Sequence, residues 1–437
     1  MLSLRAAVQR ERRDAIENLL RSQHEGALWT ERPVSTGSRD GDGLEAQEDD
    51  DGDEDDEAEE QRRRCGVLGT LLGRGSCLLG NATAHGQTEP FDWDHLVLYE
   101  GGNNGLAIVC LALSPCGDLV ATGGYDRVVR VWNIKTAQLL QRWQWHEDVV
   151  WSVAFSPTGA QVASGSADTT IYLWDPALPP GTNTPARLAG HTADVWTLAY
   201  SPDGTKLASG SVDTTVKVWD LTTHAPLLTL RGHTTQVMHL AWTADSARLV
   251  ACAAARGIVW DAATGGRAAA LQGHVGNIWR MAVSHAGDRV VTGGEDCSAR
   301  VWDMRTGQEL AVLREHTGPI WAVAWAPDDG EVATGAYDSR VIASNSWTGA
   351  HVHTFDERPV IVDSVAYSRN GRFIASGGAD GRVKLWDRAD GSLVAEWRGH
   401  TDKCKRVVFI NADEDILTAS DDGTLRVWSV LDVLRII

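Results

Sequence analysis

The chain has 437 residues, with 59 acidic against 40 basic side chains and a formal net charge of −19 at pH 7. That balance argues against general nucleic-acid binding, which needs a basic footprint, and no run approaches the roughly 18 apolar residues of a membrane span. The 7 cysteines are odd in number and form no CxxC or Cys/His cluster at zinc spacing, which points to reduced thiols in a cytoplasmic or nuclear protein and to no metal or other cofactor.

Residues 1–22 predict an amphipathic helix, with Leu4, Val8, Ile16, Leu19 and Leu20 on its apolar face. Charges stand where a signal peptide needs an apolar core. Residues 23–64 are polar, carry Gly, Pro and Ser, and read as a disordered acidic linker. Its stretch Glu45–Glu60 holds 12 acids and no base, leaving −7 for the rest of the chain. Such a run suits a basic partner, or serves as a solvated spacer. Residues 65–94 form an apolar, Gly-rich lead-in with no GK[ST], so no phosphate-binding P-loop is expected there.

From residue 95 to 430 one unit recurs. Its clearest copy is Leu188–Asp220, in which Val195–Tyr200, Lys206–Ser211 and Thr215–Trp219 read as strands. Ser201-Pro202-Asp203-Gly204 supplies a tight turn between the first two. The closing Trp recurs at Trp132, Trp174, Trp219, Trp260, Trp302, Trp386 and Trp428, with Ser344 in the one vacant slot. The steps are 42, 45, 41, 42, 42, 42 and 42 residues, which makes eight units. One such unit cannot bury both faces of its sheet, so the copies must pack on one another. The tail, residues 431–437, is apolar.

A repeat of this period, with Gly190-His191 near its start and Trp219-Asp220 at its end, resembles the WD40 repeat. The resemblance implies an all-β fold, an eight-bladed WD40 β-propeller, preceded here by the short helix and the acidic segment. The array is similar to the regular ones of fungal NACHT-type allorecognition proteins, but their nucleotide-binding half is not present and that activity is not carried over. In the family the outermost strand of the last blade comes from the N-terminal side, a role open to His95–Glu100. The apolar tail could compete for the same edge.

Four side-chain types recur together: His146, Ser164, Asp168 and Trp174; His191, Ser209, Asp213 and Trp219; His274, Thr292, Asp296 and Trp302; His400, Thr418, Asp422 and Trp428. Ser, His and Asp invite a hydrolase reading. Repetition opposes it, because an enzyme needs one nucleophile with one oxyanion hole, and no G-x-S-x-G elbow occurs. The resemblance implies a buried Trp–Ser/Thr–His–Asp chain with a structural role. Blades four and six depart most, since blade four lacks the Ser and the Asp and blade six lacks the Trp. They are expected to be the softest, with the least certain strand register.

The position five residues after the repeat His faces the channel mouth in the family. It holds Trp151, Trp196, Met238, Trp279 and Trp321 in five consecutive blades, then Asp363 and Lys405. The residue before the turn Asp shares that surface and includes Tyr125, Glu295 and Tyr337. Aromatics with a few placed charges suit a protein or peptide partner, although Trp can equally pack between blades. The expected function is therefore a non-catalytic scaffold, a monomer within a larger complex. The alternative is a substrate receptor of a cullin-RING ubiquitin ligase, docking through Trp302-Asp303-Met304-Arg305, which resembles the adaptor box W-D-x-R.

Overall fold

Short β-branched runs joined by Gly-containing turns favour antiparallel sheet, and the computed structural model contains eight four-stranded antiparallel sheets. It describes residues 96–98, 107–179, 181–182, 184–356 and 360–435. The expected helix over 1–22, the acidic linker 23–64, the lead-in 65–94, and the pairs Asn103-Asn104 and Glu357-Arg358, which stand where Gly-His recurs in other blades, lie outside the described residues.

Blade three shows the plan, with strands Val195–Tyr200, Lys206–Ser211, Val216–Asp220 and Pro226–Leu230 in sequence order. The first strand is innermost and touches the first strands of the neighbouring blades. The second is almost wholly buried and the fourth largely exposed. Apolar side chains between sheets form eight clusters, each shared by two adjacent blades. The eighth interface closes the ring: Ile108, Val120 and Trp132 of blade one pack with Leu417, Leu425 and Val427 of blade eight.

Blade eight takes its outer strand from the N-terminal side. Leu96, Val97 and Leu98 pair antiparallel with Val427, Arg426 and Leu425. The tail does not compete for that edge. It turns into a short helix, Val430–Leu434, capped by the Ser429 side chain, and buries Val430 and Val433 in the core between blades seven and eight.

The closing strands of blades four and six keep an unbroken register against their second strands, contrary to expectation. In blade four Arg248–Ala253 pairs residue for residue with Arg256–Asp261. The missing residue is absorbed in a two-residue turn, where Ala254 takes a φ of 44° normally left to Gly or Asn. In blade six Glu331–Ala336 pairs unbroken with Arg340–Asn345.

At the end of the ring away from the His loops, the first turn of most blades places Gly at positive φ, as at Gly204 with 70°. Blades four, six and eight put Ser246, Asp329 and Asp413 there instead, at 59°, 53° and 74°. Each of these side chains accepts a hydrogen bond from the preceding blade's turn. Ser246 binds the Asp203 N–H at 3.1 Å, Asp329 binds the His285 and Ala286 N–H groups at 2.8 Å, and Asp413 binds those of Arg369 and Asn370 at 2.6 and 2.8 Å. Backbone strain at the three sites is offset by clips between blades.

Candidate functional site

The recurrent Ser, His and Asp side chains are consumed by structure. In blade three the Trp219 indole N–H donates to Ser209 Oγ at 2.8 Å, His191 Nε2 lies 2.7 Å from the same oxygen, and His191 Nδ1 lies 2.7 Å from Asp213 Oδ2. A carboxylate only accepts, so Nδ1 carries the ring proton and the serine hydroxyl donates to Nε2. Each polar atom then has a partner. The same chain joins Trp174, Ser164, His146 and Asp168, then Trp302, Thr292, His274 and Asp296, then Trp428, Thr418, His400 and Asp422. Burial pushes the Asp213 carboxyl up, but hydrogen bonds from Thr215 and His191 outweigh it and hold the group at about 2. The hydroxyls are wholly buried and offer no reachable nucleophile.

Blade four keeps the geometry without the bridge. Its His233 and Trp260 rings stand 6.4 Å apart, against 6.2 Å for His191 and Trp219. Ala251 occupies the hydroxyl position, and His233 Nε2 and the Trp260 indole nitrogen are buried without a partner. Burial, with a smaller push from Arg267, lowers the His233 pKa to about 4.

The proposed contact residues share one structural origin. Seven inner strands carry a β-bulge at the same place, leaving out of register Val109, Trp151, Trp196, Trp279, Trp321, Asp363 and Lys405. Met238 of blade four just precedes its strand. The second set lies beside the first, because the residue before each turn Asp donates its N–H to the carbonyl two residues before the bulge. Tyr125 binds Ala107, Glu295 binds Asn277 and Tyr337 binds Pro319 in this way, at 3.4, 2.8 and 2.9 Å.

The aromatic residues separate into two groups. Tyr125 meets Trp151 edge-on at 5.8 Å and Trp151 meets Trp196 at 6.0 Å, while the Trp151 indole donates to Asp194 at 3.2 Å. Across blade four and the half-buried Met238, Trp279 stacks on Trp321 at 4.9 Å. That stacking leaves Trp279 only 6% exposed, whereas Tyr337 is 56% exposed. Glu295 accepts from the Asn277 N–H at 2.9 Å and so also shapes its loop. In the charged sector Lys405 lies 3.9 Å from Asp363 and 3.6 Å from Asp421. Burial raises the pKa of both acids, and the Lys405 charge opposes the rise.

Immediately after the bulge lies a ring of side chains that the sequence reading passed over. Ser152 and Ser364 accept N–H bonds from Leu198 and Val407 of the next blade, both at 3.1 Å. His239 and Arg280 donate to the carbonyls of Trp279 and Trp321, at 2.7 and 2.9 Å. Arg406 occupies the same position in blade eight. The signal was available, since each follows the bulge residue by one place in every repeat.

In the adaptor-like box, Trp302 is 1% exposed. Asp303 Oδ1 accepts from the N–H groups of Arg305 and Thr306, an arrangement repeated at Asp220, Asp261 and Asn345. Arg305 alone of the three presents an exposed side chain.

The model of the family "WD domain, G-beta repeat" matches eight times, over residues 95–133, 137–175, 183–220, 224–261, 265–303, 307–342, 349–387 and 391–429. A 51-residue stretch is 41% identical to the Periodic tryptophan protein 2 homolog of Neurospora crassa, covering 11% of this chain and 6% of that protein. A 47-residue stretch is 38% identical to Protein ROOT INITIATION DEFECTIVE 3 of Arabidopsis thaliana, covering 11% of each. The chain thus spans a small fraction of both relatives. Among solved structures, the computationally designed Ika8 protein superposes with a TM-score of 0.66 at 30% identity, over 75% of this chain and 97% of that one.

Proposed function

Since the chain belongs to the WD40 family, whose propellers are protein-interaction scaffolds, we propose that this one binds a protein or peptide partner over its channel mouth. The observation that carries the reading is the placement of Tyr125, Trp151, Trp196, Trp279, Trp321 and Tyr337 at bulges and turns around one end of the ring. A bulge residue is exempt from the strand ladder. Large aromatics that ladder pairing does not require are the type that anchors interfaces. Tyr337 is exposed, Tyr125, Trp151, Trp196 and Trp321 are half-buried, and Trp279 is buried, so Tyr337 would meet the partner first. Lys405, Asp363 and Asp421 would orient a charged residue of the partner. The acidic stretch Glu45–Glu60 offers a second contact for a basic segment.

Quantitative affinity capture with three baits tests this. The baits are the whole chain, a Trp151→Ala/Tyr337→Ala variant with an unchanged melting temperature, and a chain lacking residues 1–64. A partner lost only with the double variant supports the mouth. One lost only with the truncation moves binding to the acidic segment. Unchanged capture with both overturns the proposal. The ligase-receptor reading rests on Arg305, and an Arg305→Ala chain that still captures the adaptor ends it.

A further inference from the structure

We propose that the axial channel is an oxyanion site of the phosphate class, held by the guanidinium groups of Arg280 and Arg406. Both residues stand on innermost strands, in blades five and eight, one place after the bulge. Arg280 uses Nε on the Trp321 carbonyl at 2.9 Å, and Arg406 makes one long bond to the Lys405 carbonyl at 3.3 Å. Neither forms an ion pair with a described carboxylate within 4.0 Å, whereas the buried or half-buried Arg130, Arg289, Arg300, Arg340, Arg382 and Arg388 do. The remaining positions of this inner ring are one histidine and five neutral side chains, with no acid among them. The nearest carboxylate is Asp363, one place above the ring, whose Oδ2 is buried without a hydrogen-bond partner.

The groups converge on the axis. His239 of blade four and Arg406 of blade eight are diametrically opposed, yet the Arg406 charge reaches His239. Burial and the Arg280 and Arg406 charges lower the His239 pKa to about 3. Burial and then Arg406 press Arg280 down to about 9. His239 relieves this pressure by staying neutral. A guanidinium does not give up its proton at neutral pH, and the one carboxylate whose charge acts on both arginines, Asp363, is shared with Lys405, so a further counter-charge relieves them. Planar, multidentate donors match phosphate geometry. The site is selective against the background, because the chain as a whole is strongly acidic and repels anions elsewhere. It goes beyond the mouth-binding proposal and stands even if Trp151→Ala/Tyr337→Ala leaves capture unchanged.

The test is calorimetric titration of the full chain with inorganic pyrophosphate at constant ionic strength, paired with melting curves. One saturable site per chain and a rise in melting temperature are expected. Arg406→Met and Arg280→Met should each weaken binding about tenfold or more, and the exposed-site control Arg398→Met should not. Without anion, Arg406→Met should melt no lower than wild type, because it removes one of two buried like charges that share the single carboxylate Asp363. A free phosphate compound and a phosphorylated side chain share this chemistry. A phosphoserine peptide that binds more tightly than inorganic phosphate, and loses that advantage in Trp151→Ala, assigns the phosphate to a peptide; equal affinities assign it to a free compound. No saturable heat in wild type, or equal affinity in wild type and both Met variants, overturns the proposal.

Discussion

Blade four lacks the bridging hydroxyl and the turn Asp of its intact neighbours, and only the hydroxyl leaves buried nitrogens without a partner. His233 and Trp260 already hold the spacing that His191 and Trp219 hold, and Ala251 lies in the register of Ser209. Ala251→Ser should therefore satisfy two buried nitrogens at once and raise stability by about 1–2 kcal/mol in urea unfolding. A loss of stability would mean that the extra oxygen does not fit. His239 governs a different measurement. Its folded pKa is lowered to about 3 by burial, then by Arg280, while an unfolded histidine titrates near 6.5. Between those values the unfolded chain binds the extra proton, so stability falls as pH drops from about 6.5 to 3. His233 adds to the same fall down to about 4, and Asp213, held at about 2, extends it below the ordinary carboxyl range. His239→Gln, which can keep a donor toward the Trp279 carbonyl, should flatten the slope of unfolding free energy against pH between about 6.5 and 3. An unchanged slope would show that His239 is already protonated or solvated.

Turns and edge strands set the next level. The Asp329 turn takes a φ of 53°, where glycine is intrinsically better. Asp329→Gly relieves that strain but removes acceptors for the His285 and Ala286 N–H groups. Charge-assisted bonds outweigh the backbone gain, so the variant should lose about 1–3 kcal/mol. A stabilised Asp329→Gly would show the clip between blades five and six to be idle. The closing strand is equally exposed to test. Among the described residues, Leu96–Leu98 supplies the only ladder partner of the blade-eight strand Leu425–Ser429 on its outer side. Truncation through residue 98 should lower the melting temperature by about 5 °C or more relative to truncation through residue 94. Identical melting curves would mean that the apolar interface of blades eight and one closes the ring unaided.

Across the whole molecule, the sequence carried the fold because each blade repeats one solution. The periodic Trp, the tight turn after the first strand and the polar chain are local signals that recur from blade to blade, so gaps in one copy are filled by the others. The irregular copies were misjudged for the same reason. Missing Ser or Trp suggested loose register, but strand pairing in blades four and six is set by the alternating apolar residues that fill the clusters between blades, and those are intact. The mouth residues were legible by position, although not which of them stack away from solvent, as Trp279 does, because that depends on the neighbouring blade's side chain. The ring behind them was passed over although its members recur at one fixed place in every repeat. Its members are about 40 residues apart and meet only across the axis.

The bulge shared by seven inner strands has an evolutionary corollary. It sets aside one position per blade whose side chain is neither counted in the ladder nor needed by the turn that follows. Those positions form a circular register of interchangeable letters, written at present as aromatic over one arc and charged over another. Rewriting a letter changes what is read at the mouth and leaves the page intact. On the proposed reading, a lineage, or an engineer, can therefore retarget this ring by single substitutions at Trp151, Trp196, Asp363 or Lys405, without reopening the problem of how it folds.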